Sequence, residues 1–163
     1  MAYDVTTTPA INDATKLGDY TRLRDAARAA AGAVAGAVLR QGGSLEAFIV
    51  DTTEVPVPFS GGNVGFEVDG TYLGYTTVVL EVVAIRHPDV STSVTCTVDL
   101  YDATTPGVIA SSAVAITLAT AGATHQKSVA LTLPTSVKRY YARIKTSDGT
   151  KPVACEWRVV AKG

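Results

Sequence analysis

The sequence predicts a mainly β protein: an antiparallel β-sandwich or jelly roll of about eight strands, preceded by an extended arm and one N-terminal α-helix. Three observations carry that expectation. Val and Thr each occur 22 times among 163 residues, a β-branched excess that favours sheet. From Ser44 onward, short runs alternate apolar and polar residues, as in Val94, Cys96, Val98 and Leu100 against Thr95, Thr97, Asp99 and Tyr101. Turn signals separate the runs at Asp69-Gly70, Pro88-Asp89, Pro106-Gly107, Ala121-Gly122 and Asp148-Gly149.

Residues 1–18 read as the arm. They hold Thr6-Thr7-Thr8-Pro9 and Asn12-Asp13 with no apolar period, which favours extended chain over helix. Residues 19–42 read as the helix. Asp19 is placed to cap its first turn, alanine supplies propensity along it, and Gly42-Gly43 offers a left-handed exit. A rod of this length spans about 30 Å. Its small-residue seam, Tyr20, Leu23, Ala27, Ala30, Val34 and Ala37, buries little area against one sheet, so the helix reads as a self-association element.

Residues 44–163 read as the sandwich, with strands expected at 45–50, 64–68, 75–85, 93–101, 108–118, 127–133, 140–146 and 153–160. The fifth of these carries a break signal at Ser111-Ser112. Residues 76–85 are apolar on both faces, which predicts a central strand with a second layer over it. No crossover helices interrupt the series, which argues against a parallel sheet.

Composition narrows function mainly by exclusion. An apolar content of 47% with 18% charge is unlike a disordered chain. A net charge of −1 argues against whole-chain affinity for nucleic acid or an anionic membrane. The N-terminus lacks the basic and apolar regions of a signal peptide. The longest low-polarity run, Ala29 to Leu39, has eleven residues, against about 20 for a bilayer span.

Candidate chemistry is sparse, and no cofactor or catalytic residue is expected. His87 and His125 read as loop residues without the spacing of a zinc site. Ser60-Gly61-Gly62-Asn63-Val64-Gly65 has the glycine content of a phosphate cradle but no following Lys-Ser/Thr, and reads as a turn. Asp99 with Asp102, and Glu67 with Asp69, are too few oxygens for Ca²⁺. Glu81 stands inside an apolar run, where a salt bridge to a basic neighbour is the plain reading and a raised-pKa acid the sharper one. Cys96 and Cys155 fall on apolar faces and are expected as reduced, buried thiols.

The total charge conceals a segregation. Residues 44–126 carry nine acids and one base, whereas residues 127–163 carry eight bases and two acids. Either the C-terminal strands neutralise the earlier ones within the sheet, or Lys138, Arg139, Arg143 and Lys145 form a basic surface facing a partner.

Several motifs resemble those of tailed-bacteriophage virion structural proteins. Asp19-Tyr20-Thr21-Arg22-Leu23-Arg24-Asp25 resembles a helix opening near the N-terminus of phage fibre-type proteins. Leu133-Pro134 with Lys138-Arg139-Tyr140-Tyr141-Ala142-Arg143 resembles a strand entry in capsid-decoration and cementing jelly rolls. Asp99-Leu100-Tyr101-Asp102 with Pro106-Gly107 is similar to the preceding hairpin there. The resemblance implies a non-enzymatic protein on the outer surface of the virion, assembled in the host cytoplasm. It implies a homotrimer that decorates or cements a capsid against the phage major capsid protein or another virion protein. A small head or tail fibre whose sandwich binds a host glycan is the alternative, and a sandwich-fold enzyme is disfavoured by the missing catalytic constellation.

Overall fold

The computed structural model describes residues 37–57, 65–69, 77–120, 122–134 and 136–162. These residues contain ten strands and no helix: β1 Ala37–Ile49, β2 Val55–Pro56, β3 Phe66–Asp69, β4 Thr77–Arg86, β5 Val94–Asp102, β6 Gly107–Val108, β7 Val114–Leu118, β8 Thr124–Lys127, β9 Val137–Thr146 and β10 Val153–Lys162. All pairings are antiparallel. One sheet has the order β1-β10-β4-β8; in the other β2-β9-β5-β6, β3 also pairs with β9 and β7 with β5.

The pairing follows a nested ladder. The first strand pairs with the last, β2 and β3 with β9, β4 with β8, and β5 with β6 and β7. Apart from the steps from β2 to β3 and from β5 through β7, successive strands change sheets, and the two sheets share one apolar core. Leu80, Val82 and Ala84 of β4, with Trp157 and Val159 of β10, meet Cys96, Val98 and Leu100 of β5, Ile116 of β7 and Ala142 and Ile144 of β9. These side chains are all but excluded from solvent, and β-branched and leucine side chains at period two are what such an interior selects.

The expected arm, residues 1–18, and the helix up to residue 36 lie outside the described residues. The last six positions of that helix, residues 37–42, are strand, so the described part of the sandwich includes residues 37–43 ahead of Ser44. Alanine propensity amounts to fractions of a kcal/mol per residue, whereas this segment gains a continuous ladder from Ala37 opposite Ala161 to Ser44 opposite Cys155, with one bulge. The positive φ expected of Gly42-Gly43 occurs at Gly43, at 85°, but inside β1. A Cβ there would stand 2.3 Å from the Cys155 carbonyl oxygen, so glycine is what lets β1 close on β10.

One expected break holds and one expected strand moves. The run at 108–118 is split: Ser111 adopts φ 64°, and Ser112 turns its buried hydroxyl onto Leu100, accepting from its N–H (3.0 Å) and donating to its C=O (3.3 Å). The strand expected at 127–133 is displaced to β8, and only Leu131 of the later residues bridges back, to Val78. Ser128 is the cause. Its hydroxyl accepts from Leu80 N–H while its own N–H donates to Leu80 C=O, which closes the ladder and leaves Val129 67% exposed.

Candidate functional site

The outward face of the β2-β9-β5-β6 sheet sets polar and aromatic side chains in rows. Period-two alternation sends Thr95, Thr97, Asp99 and Tyr101 of β5 outward, along with Arg139, Tyr141, Arg143 and Lys145 of β9. Register then fixes the neighbours: Thr97 opposite Lys145, Asp99 opposite Arg143, and Tyr101 opposite Tyr141.

Asp99 and Arg143 form a two-point pair. Arg143 Nε donates to Oδ1 at 2.9 Å and Nη2 to Oδ2 at 2.8 Å, with the carboxylate 9% and the guanidinium 16% exposed. The Asp99 hydrogen bonds raise the Arg143 pKa above its ordinary value against the opposing effect of burial; the charges of Asp99, Glu54 and Tyr141 act in the same raising direction. The same guanidinium carbon lies 4.4 Å from the centre of the Tyr101 ring. Tyr101 and Tyr141 stand 5.2 Å apart, centroid to centroid, tilted by 41°. Lys145 donates to Glu54 Oε1 at 2.5 Å, and that bond is the largest cause of the lowered Glu54 pKa.

The basic residues singled out from sequence are therefore brought together along β9, each beside or opposite an acid from earlier in the chain. Besides Arg143 and Lys145, Lys138 donates to Thr105 Oγ1 and lies 3.7 Å from Asp102 Oδ2. Arg139 faces Glu67 across the register. The charge segregation along the chain becomes local neutralisation across strands. Leu23, Ala27, Ala30 and Val34 lie outside the described residues; Ala37 lies in β1 opposite Ala161.

The other acids have structural partners too. Asp102 caps the turn after β5, its Oδ1 accepting from Thr104 N–H (2.8 Å) and Thr105 N–H (2.9 Å). Glu81, on the outward face of the other sheet, accepts from Arg158 Nε at 2.7 Å, the expected salt bridge to a neighbouring strand. His125 lies in β8 rather than in a loop, with Nε2 4.0 Å from the same Glu81 oxygen. These groups, with Gln41, Gly43 and Glu156, line an open groove of about 410 Å³. Among the described residues no three His, Cys, Asp or Glu side chains are placed to hold a metal ion.

Cys96 and Cys155 are free thiols facing the core from opposite sheets. Burial pushes the Cys96 thiol up to about 12 and Cys155 well above its ordinary value, which disfavours the thiolate that a nucleophile needs. Tyr140, buried beside Phe66, is likewise raised to about 12 by burial and then by the Asp102 charge.

Sequence reading did not find the Tyr101–Tyr141 pair. Each tyrosine sits at an outward position of its own strand, but the two are 40 residues apart and meet only through the β5–β9 register. Tyr72 and Tyr75, the tyrosines that do flank one turn in sequence, lie outside the described residues. No protein-family model and no curated protein matches the chain.

Proposed function

We propose that the chain is a non-enzymatic virion structural protein of jelly-roll type that decorates or cements the outside of a phage capsid as a homotrimer. The observation that carries this reading is the nested ladder, first strand with last and inward to β5 with β6 and β7. Such a ladder supports a double-sheet jelly roll, an architecture used by viral capsid proteins. The phage-like motifs around Asp19, Asp99 and Lys138 support it independently.

In this reading the sandwich is a rigid body and the residues ahead of β1 join copies together. Leu23, Ala27, Ala30 and Val34 would meet around the trimer axis, while Arg22, Arg24 and Arg28 face acidic neighbours. A trimer seam of small residues suits close backbone approach. Ala30→Glu is the direct test, read by sedimentation and by co-purification with particles. Loss of both trimer and particle binding, with the sandwich still folded, is expected. A variant that sediments like the wild type and still loads onto particles overturns the seam. Electron cryomicroscopy of the native particle tests the location: many copies over the head surface are expected, and absence from the particle overturns the reading.

A further inference from the structure

We propose that the outward face of the β2-β9-β5-β6 sheet is a saccharide-binding platform, centred on Tyr101, Tyr141 and Arg143 and suited to an uncharged sugar ring. This goes beyond the assembly reading and does not depend on where the protein sits in a particle.

The seat is aromatic. Two rings on neighbouring strands, 5.2 Å apart and tilted by 41°, form an aromatic pair with Arg143 over one face of Tyr101, and both side chains are half-buried rather than covered. A pyranose offers one apolar C–H face edged by hydroxyls. A tyrosine offers the matching combination, an apolar ring with a polar tip. Val108, 51% exposed and opposite Tyr101 in register, extends the apolar floor on one side.

Donors surround that seat. Neither phenol hydroxyl, nor Nη1 of Arg143, hydrogen-bonds a described residue. Arg143 is nevertheless fixed, because Asp99 holds Nε and Nη2 and the Tyr101 ring lies beneath the cation. A guanidinium already ordered by its own protein loses little entropy when a ligand hydroxyl takes its remaining N–H groups. Tyrosine, with two side-chain torsions, also orders cheaply.

Charge selects the ligand class. Arg143 is matched by Asp99 and Lys145 by Glu54, so the face lacks the excess positive charge that a polyphosphate backbone requires. Area argues against a second copy of the chain as occupant. Two half-exposed tyrosines offer on the order of 100 Å², whereas a stable protein interface takes about 800 Å² from each partner. The rest of this face mixes Thr95, Thr97, Ala115 and Thr117 with ion-paired side chains and two scattered apolar residues, Pro56 and Val137.

The test is nuclear magnetic resonance of the full chain with labelled tyrosine rings. The probes are the methyl glycosides of glucose, galactose, mannose and N-acetylglucosamine, each titrated through the millimolar range. Saturable shifts of the Tyr101 and Tyr141 ring signals are expected with at least one glycoside. Tyr141→Ala should weaken that binding at least about tenfold, and Tyr141→Phe, which keeps the ring, should weaken it less. Glu156→Gln, in the groove on the other sheet, should leave it unchanged. The proposal is overturned if no glycoside produces a saturable shift. It is equally overturned if the shifts gather around His125, or if the tyrosine signals respond to protein concentration instead of sugar. None of these outcomes bears on Ala30→Glu or on particle location, so the assembly reading stands or falls separately.

Discussion

The two outward faces of the sandwich are built differently. On the β2-β9-β5-β6 sheet, β5 and β9 put apolar residues inward and threonine, tyrosine and charge outward. On the β1-β10-β4-β8 sheet, β4 is apolar on both sides apart from the outward Glu81, and β10 sets the exposed Glu156 and Arg158 outward between buried Ala154 and Val160. Leu80, Val82, Trp157 and Val159 enter the shared core, yet Val79, Ala154 and Val160 on the opposite side are also buried and lie outside that core. A strand with one wet face writes its orientation into its sequence; a strand buried on both faces does not.

Core truncations sharpen this contrast most. Leu100→Ala and Leu80→Ala, from fully buried positions on opposing sheets, should each cost about 3 kcal/mol or more. Val79→Ala, on the far side of β4, should cost less, up to about 1.6 kcal/mol for two methylene equivalents. Thr97→Ala, on the wet face, should stay within about 0.5 kcal/mol. Denaturant midpoints at constant m-value measure all of these, and equal losses for Leu80 and Thr97 would erase the distinction between faces.

Ion pairs on one face should differ in the same way. Asp99→Ala leaves the Arg143 guanidinium, only 16% exposed, without its carboxylate, and should cost about 2–3 kcal/mol. Glu54→Ala breaks a pair exposed by about a third on each side, and should cost clearly less than Asp99→Ala. A double-mutant cycle with Arg143→Met isolates the first coupling. Gly43→Ala should cost about 2 kcal/mol, because it combines positive φ with a clash against the Cys155 carbonyl. Gly122→Ala, whose added Cβ would meet nothing within 4 Å, carries the φ penalty alone.

The smallest effect is electrostatic. Asp148 is held down to about 2 by the Thr150 N–H, then by the Thr150 hydroxyl and Lys151. A depressed carboxyl stabilises the fold above its unfolded pKa of about 3.9. That contribution is lost as pH falls from there through about 2. Melting curves of wild type and Asp148→Asn should therefore converge toward pH 2 and separate above pH 4, by about the width of a screened surface interaction.

The sequence was most legible where alternation was strict. Residues 93–101 and 140–146 were expected as strands and are the bodies of β5 and β9, because a half-buried strand repeats every second residue. Over residues 37–42 the alanine and glycine content speaks for helix propensity, and the β10 partner that overrides it lies more than 110 residues away. β2 was not expected at all; two residues ending in Pro56 form no pattern, and the proline is tolerated at this short strand. The salt bridge of Glu81 was foreseeable from its apolar surroundings, but its partner Arg158 was not. The tyrosine pair needed the same missing information, the register between distant strands.

Strand order is the claim on which the separated faces, the platform and the assembly reading all rest. Inter-strand nuclear Overhauser effects on the uniformly labelled chain test it directly. Contacts linking Glu81 with Arg158, Asp99 with Arg143 and Gln41 with Arg158 are predicted, with β4 and β5 in different sheets. A continuous antiparallel pairing of β4 with β5, as in a simple meander of sequential strands, would contradict it.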